Sequence, residues 1–129
     1  MPHYTASVTL LAIALYVFLA TRVAAARVRF GVKLPATTGH ADFERVFRAH
    51  TNMLEWLPSF LVPLWLCALY FSDVVAAALG LIWVGARILY SVGYSKAVEK
   101  RLPGIIAQTL VCALLFVGAV AGIILHWAG

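Results

Sequence analysis

Four apolar runs, each long enough to cross a bilayer, set the terms on which this chain can fold. The first goes from about Thr5 to Ala26, the second from about Phe43 to Phe71, the third from about Val74 to Ser95 and the fourth from Gly104 to Trp127. At about 1.5 Å of rise per residue, a helix of roughly 20 residues covers a hydrocarbon layer about 30 Å thick. Backbone surrounded by lipid has to satisfy its own N–H and C=O groups, which helices do within themselves. The expected fold class is therefore all-α, an integral membrane four-transmembrane-helix bundle forming one domain over residues 1–129. Composition agrees, with 64% of residues apolar and 12% charged, far from the roughly one half and one quarter of soluble domains. The net charge of +5 does not point to nucleic acid, because the cations gather beside the spans and not on the face of a soluble module.

Between the runs the sequence carries its own punctuation. Arg27 to Asp42 forms a polar connection containing Pro35 and the turn signal Thr37-Thr38-Gly39, Ser72 and Asp73 form a very short second turn, and Lys96 to Arg101 forms a charged third segment before Pro103. Ala24-Ala25-Ala26 resembles a signal-peptidase site. The residues before it (Met1, Pro2, His3, Tyr4) include no Lys or Arg, however, and the run exceeds a signal core, so it is read as a retained span. Pro58 and Pro63 each remove a backbone donor from the second run, and a bend is expected there. Gly118 and Gly122 stand in the spacing that lets helices pack closely. Cys67 and Cys112 lie deep in apolar runs, where a thiol packs as a small hydrophobe and forms no disulfide framework. His3, His40 and His126 are scattered, and no metal is expected.

Loop cations give an orientation. Arg27, Arg29 and Lys33 flank the first connection and Lys96, Lys100 and Arg101 the third, whereas the middle turn and both ends carry no Lys or Arg. The positive-inside rule places both charged connections in the cytoplasm and both termini outside it.

Ionisable groups inside spans are costly and are functional suspects. In the second run Arg48, Asn52 and Glu55 follow at i, i+4 and i+7, and in the third Arg87, Tyr90 and Tyr94 follow at i, i+3 and i+7. Each set occupies one face of its helix. An Arg48–Glu55 pair and an interfacial tyrosine belt would explain part of this pattern. They leave His50, Asn52, Arg87 and Arg101 without a role, and arginines outnumber the available carboxylate, so an anionic ligand would balance the site.

The stretch Phe43-Glu44-Arg45-Val46-Phe47-Arg48-Ala49-His50-Thr51-Asn52-Met53-Leu54-Glu55-Trp56-Leu57-Pro58, followed by Gly85-Ala86-Arg87, Tyr90, Gly93-Tyr94-Ser95 and Lys100-Arg101, resembles the membrane-associated proteins in eicosanoid and glutathione metabolism. The resemblance runs in order from about Arg27 to Gly104. It implies a homotrimer of four-helix subunits, with glutathione as co-substrate held between neighbouring chains at three sites. Carried over residue by residue, it implies that Arg48, Asn52, Glu55, Tyr90 and Tyr94 bind glutathione in one chain and that Arg27 and His50 reach in from the next. Trp56 and Arg87 complete the expected glutathione-binding set, and Arg101 matches the catalytic arginine facing the sulfur. The implied activity is a membrane glutathione transferase that conjugates hydrophobic electrophiles arriving from membrane lipid, with peroxidase action on lipid hydroperoxides as a second implied activity. Two departures bear on the branch: Val28 stands where the leukotriene-forming members have a second arginine, and Trp56 where many members have tyrosine. Both favour a general, bacterial-type transferase. A non-catalytic lipid-binding scaffold of the same family and a small membrane transporter are the alternatives. Retention of Arg48, Asn52, Glu55, Tyr94 and Arg101 argues against the scaffold, and the gathering of polar groups at one end argues against the transporter.

Overall fold

The computed structural model describes residues 1–129 as four long helices: α1 (His3–Phe30), α2 (Ala41–Tyr70), α3 (Asp73–Lys96) and α4 (Leu102–Ala128), with a single 3-10 turn at Val98–Arg101 leading into α4. Each is long and apolar enough to cross a membrane. Short connections make successive helices antiparallel, so the C-terminal ends of α1 and α3 and the N-terminal ends of α2 and α4 share one end of the bundle. α2 and α3 occupy the middle, with α1 and α4 each packed against both.

The core is narrow. Phe60 and Trp83 stack with ring centroids 3.8 Å apart, among Met53, Leu57, Leu64, Cys67 and Leu115. Only 29 of 129 residues are buried, and large apolar side chains such as Leu10, Val62, Ile82, Leu114 and Phe116 stand on the outer surface. That belt is compatible with lipid and not with water. Gly122 permits the close approach of α4 to the end of α2, since a Cβ there would meet the Tyr70 carbonyl group at 2.7 Å. The Gly118–Gly122 spacing thus serves packing within the chain.

Helix boundaries differ from the sequence reading in instructive ways. α1 continues past Ala26 to Phe30, so Arg27 and Arg29 ride its last turn and do not lie in a loop. Cations are favoured at a helix C-terminus, and Gly31, at φ 68°, ends the helix in the left-handed conformation. α2 runs as one helix through Pro58 and Pro63, as expected of a single second span. Ser72 and Asp73 are more than a turn. The Ser72 Oγ accepts the Val75 N–H at 3.2 Å, capping α3. Asp73, the first residue of α3, accepts the Thr5 N–H at 2.9 Å and the Tyr4 N–H at 3.2 Å. Its carboxylate therefore caps α1, whose own N-cap residue Pro2 offers no side-chain bond, and ties α1 to α3 at the cation-poor end.

Candidate functional site

The cation-rich end is where α2, α3 and the 3-10 turn converge. On α2, Arg48 and Glu55 are exposed and face each other with an Arg48 Nη2 to Glu55 Oε1 separation of 4.0 Å. An exposed pair at that distance contributes little to stability, so both groups remain available to a ligand. Asn52 lies between them, half-buried, and its Oδ1 accepts a hydrogen bond from Arg87 Nη1 at 2.9 Å. That bond fixes the amide: the oxygen turns inward and the NH2 donors are left free.

Arg87 itself is fully buried. Its Nη1 also donates to Gln108 Oε1 at 3.3 Å and its Nη2 to the Ala49 carbonyl at 3.2 Å, linking α2, α3 and α4. The guanidinium lies 4.1 Å from the centre of the Tyr90 ring. Tyr90 and Tyr94 meet edge to face at 5.6 Å, and Arg101 stands over Tyr94 at 6.0 Å. The α3 stripe thus runs as a relay of cation and aromatic contacts from the buried Arg87 to the half-buried Arg101.

Arg101 is placed by backbone. Its Nη1 donates to the Val98 carbonyl at 2.8 Å, folding the side chain back over its own turn. Gly93 lets that turn sit against α3, because a Cβ there would run into the Lys100 carbonyl. Beside it, Glu44, Arg45, Arg48, Tyr94 and Val98 line an open hollow of about 280 Å³. Arg45 pairs with Asp42 and donates to the Ser95 carbonyl at 3.4 Å, so it belongs to the wall of the hollow. The cations facing outward are Arg48 and Arg101, with Glu55 beside Arg48 and Glu44, which accepts from the Gly39 N–H, on the wall of the hollow. Such a surface can take a ligand with two carboxylates and one ammonium, and it can favour an anion beside Arg101.

Trp56, next after Glu55, is half-buried and lines a groove of about 540 Å³ between α2 and α4, with Ser59, Val62, Thr109 and Phe116 along it. The groove opens toward the lipid-facing surface and begins beside the polar cluster.

Arg27 and His50 are not part of this cluster within one chain. Arg27 donates to the Ala36 carbonyl at 2.7 Å and to the Val32 carbonyl at 3.3 Å, and lies 4.8 Å from the Phe43 ring centre, so it orders the connection between α1 and α2. His50 stacks on Tyr16 of α1 at 4.6 Å. It falls two residues after Arg48 and two before Asn52, which turns it about 200° away from their face.

One participant, and one cation outside the cluster, escaped the sequence reading. Gln108, fully buried, supplies an acceptor from α4 to Arg87. A lone amide in an otherwise apolar span is the signal that could have found it, since buried polar groups need partners. Arg22, an arginine within the first span, was passed over for the cations around it.

Four helices able to span a bilayer, with a cation-and-tyrosine cluster at one end, define an integral, multi-pass membrane protein. The profile of the MAPEG family matches residues 5–121, and the chain belongs to that family. It is 46% identical over 121 residues to an uncharacterized protein of Synechocystis sp., covering 94% of this chain and 88% of that one. It is 43% identical to microsomal glutathione S-transferase 2 of Mus musculus (92% of this chain, 80% of the relative). Leukotriene C4 synthase of Bos taurus is 38% identical (95% and 81%).

Proposed function

We propose that this protein is a membrane glutathione S-transferase that converts bound glutathione to its thiolate and transfers it to lipophilic electrophiles, with glutathione-dependent reduction of lipid hydroperoxides as a second activity. One observation carries the reading: Arg48 faces Glu55 across Asn52 and shares a hollow with Tyr94, over whose ring Arg101 stands, so two free arginines and a free carboxylate lie around one cluster. Glutathione has the complementary pattern. Its two carboxylates answer the arginines, its ammonium answers Glu55, and Asn52 donates from the amide that Arg87 has oriented.

The thiol of glutathione, with a pKa near the ~8.5 of an ordinary cysteine, is mostly protonated at neutral pH. A guanidinium beside the sulfur favours the anion, and the proton leaves to solvent; this is the role assigned to Arg101. The thiolate then displaces the leaving group of the electrophile, forming a C–S bond as that group departs with its electron pair. Trp56 and the groove between α2 and α4 offer an apolar approach from the bilayer to the polar cluster. Transferase and synthase relatives of similar length support the assignment. The working form is a homotrimer in which Arg27 and His50 complete the site of a neighbouring chain, with the site facing the cytoplasm and both termini outside it.

The test is an assay of purified protein with glutathione and an aryl halide, and then with a lipid hydroperoxide. Conjugate formation that is absent without protein supports the proposal. No turnover with either substrate, in protein that is folded and bilayer-reconstituted, overturns it.

A further inference from the structure

Arg22 is an arginine in the membrane that no group of this chain answers. It stands exposed on α1 eight residues before the helix ends at Phe30, about 12 Å of rise below the cation-rich end, and takes no part in any of the chain's ion pairs. Arg29 follows seven residues later on the same helical face. The two carboxylates of the neighbouring α2 start are engaged elsewhere, Asp42 by Arg45 and Glu44 by the Gly39 N–H at 3.3 Å. An isolated cation at this depth is costly and calls for an anion or for water reached by snorkelling.

The surroundings supply a shape for that anion's carrier. Arg22 and Val46 are shared by two adjoining hollows between helices. One, of about 140 Å³, is rimmed by Arg22 and Arg29. The other, of about 60 Å³, runs deeper between α1 and α3, with Leu15 and Ile88 on its apolar walls and Ser91 at its side. Ser91 is only 7% exposed, and its Oγ has no hydrogen-bond partner. A buried hydroxyl without a partner beside an unanswered arginine marks a place for an acceptor oxygen.

We propose that this cleft holds one anionic phospholipid of the leaflet at the cation-rich end, its phosphate between Arg22 and Arg29 with an oxygen accepting from Ser91, and its acyl chain along the apolar wall. Phosphate fits because its several oxygens can take both guanidinium groups and the hydroxyl together. A lipid fits better than a free anion because the apolar hollow continues from the headgroup position into the bilayer depth. The site lies on the α1–α3 side of the bundle and involves none of the residues assigned to glutathione, so it stands or falls independently of that assignment.

Native mass spectrometry of protein released from bilayers of equal palmitoyl-oleoyl phosphatidylglycerol and phosphatidylcholine tests it. Wild-type protein is expected to retain phosphatidylglycerol preferentially. Arg22→Gln should weaken that retention roughly fivefold, the effect of one cation near an anionic surface. Arg22→Lys should keep most of it, and Ser91→Ala should reduce it while leaving the fold intact. Millimolar inorganic phosphate should not displace the lipid. Equal retention of both lipids by the wild type, undiminished retention in Arg22→Gln or Ser91→Ala, or displacement by inorganic phosphate would each overturn the proposal. So would a change in subunit number in Arg22→Gln or Ser91→Ala, which would make the cleft a contact between chains.

Discussion

Arg101 and Arg87 show how the same residue type does opposite work at two depths. Arg101 is partly exposed and spends one donor on its own turn, leaving charge to offer a ligand. Arg101→Ala is expected to depress the ultraviolet thiolate signal of bound glutathione far more than it weakens glutathione binding, because its interaction is strongest with the ionised sulfur. A normal thiolate signal at saturating glutathione would show that another group ionises the thiol. Arg87 is spent inside the protein. Arg87→Leu strips a charged donor from Asn52, Gln108 and the Ala49 carbonyl, and a loss of about 2 kcal/mol is expected from hydrogen bonds to a charged group. The same change frees the Asn52 amide to turn, so the KM for glutathione should rise even where the protein remains folded, as equilibrium unfolding and steady-state kinetics in detergent can establish. The i, i+3, i+7 spacing of Arg87, Tyr90 and Tyr94 correctly put them on one stripe. It did not reveal that the stripe descends from the surface into the core, since periodicity fixes a residue's direction around its helix and leaves open what lies in that direction.

At the scale of helices, what was legible followed from length and apolarity, and what was not followed from contacts between distant segments. The four spans were readable because each run is long and continuous. The extra turn on α1 was not, because Arg27 and Arg29 read as loop cations when they are in fact helix-terminal cations. Nor was the cap that Asp73 places on α1, which joins residues nearly seventy positions apart. The 3-10 turn illustrates the functional side of this. A charged segment was visible at Lys96 to Arg101, but its docking on α3 depends on the missing side chain of Gly93. Gly93→Ala is expected to push the turn off α3 and carry Arg101 with it, lowering turnover at least tenfold while far-ultraviolet circular dichroism stays unchanged. Unaltered turnover in that variant would mean that the turn has other room to move.

At the scale of the whole molecule, the proposed direction in the membrane and the proposed sharing of sites between chains rest on different observations. The cation count at the two ends implies an external C-terminus, so a reporter fused after Gly129 should be active outside the cytoplasm and silent within it. A cytoplasmic reporter signal would invert the topology and separate the cluster from the cytosolic supply of glutathione. Sharing is suggested by what one chain leaves undone. Arg27 and His50 lie toward α1, away from the face that carries Arg48 and Asn52, and in the proposed trimer they serve a neighbour's glutathione. Arg27 also ties down the connection to Ala36, which means that Arg27→Ala alone would not distinguish a ligand contact from a loosened loop. Mixed trimers make that distinction unnecessary. Suppose Arg27→Ala and Arg101→Ala are each inactive, and each site takes Arg101 from one chain and Arg27, or the loop it orders, from the next around a closed ring. Any trimer containing both kinds of chain then has one junction at which both contributors are intact. Co-expression with two affinity tags and purification through both should therefore recover about a third of wild-type conjugation activity per trimer, one working site of three. Sites contained within single chains would gain nothing from mixing, because every chain still lacks one of its arginines, and doubly tagged trimers as inactive as either parent would refute the shared site.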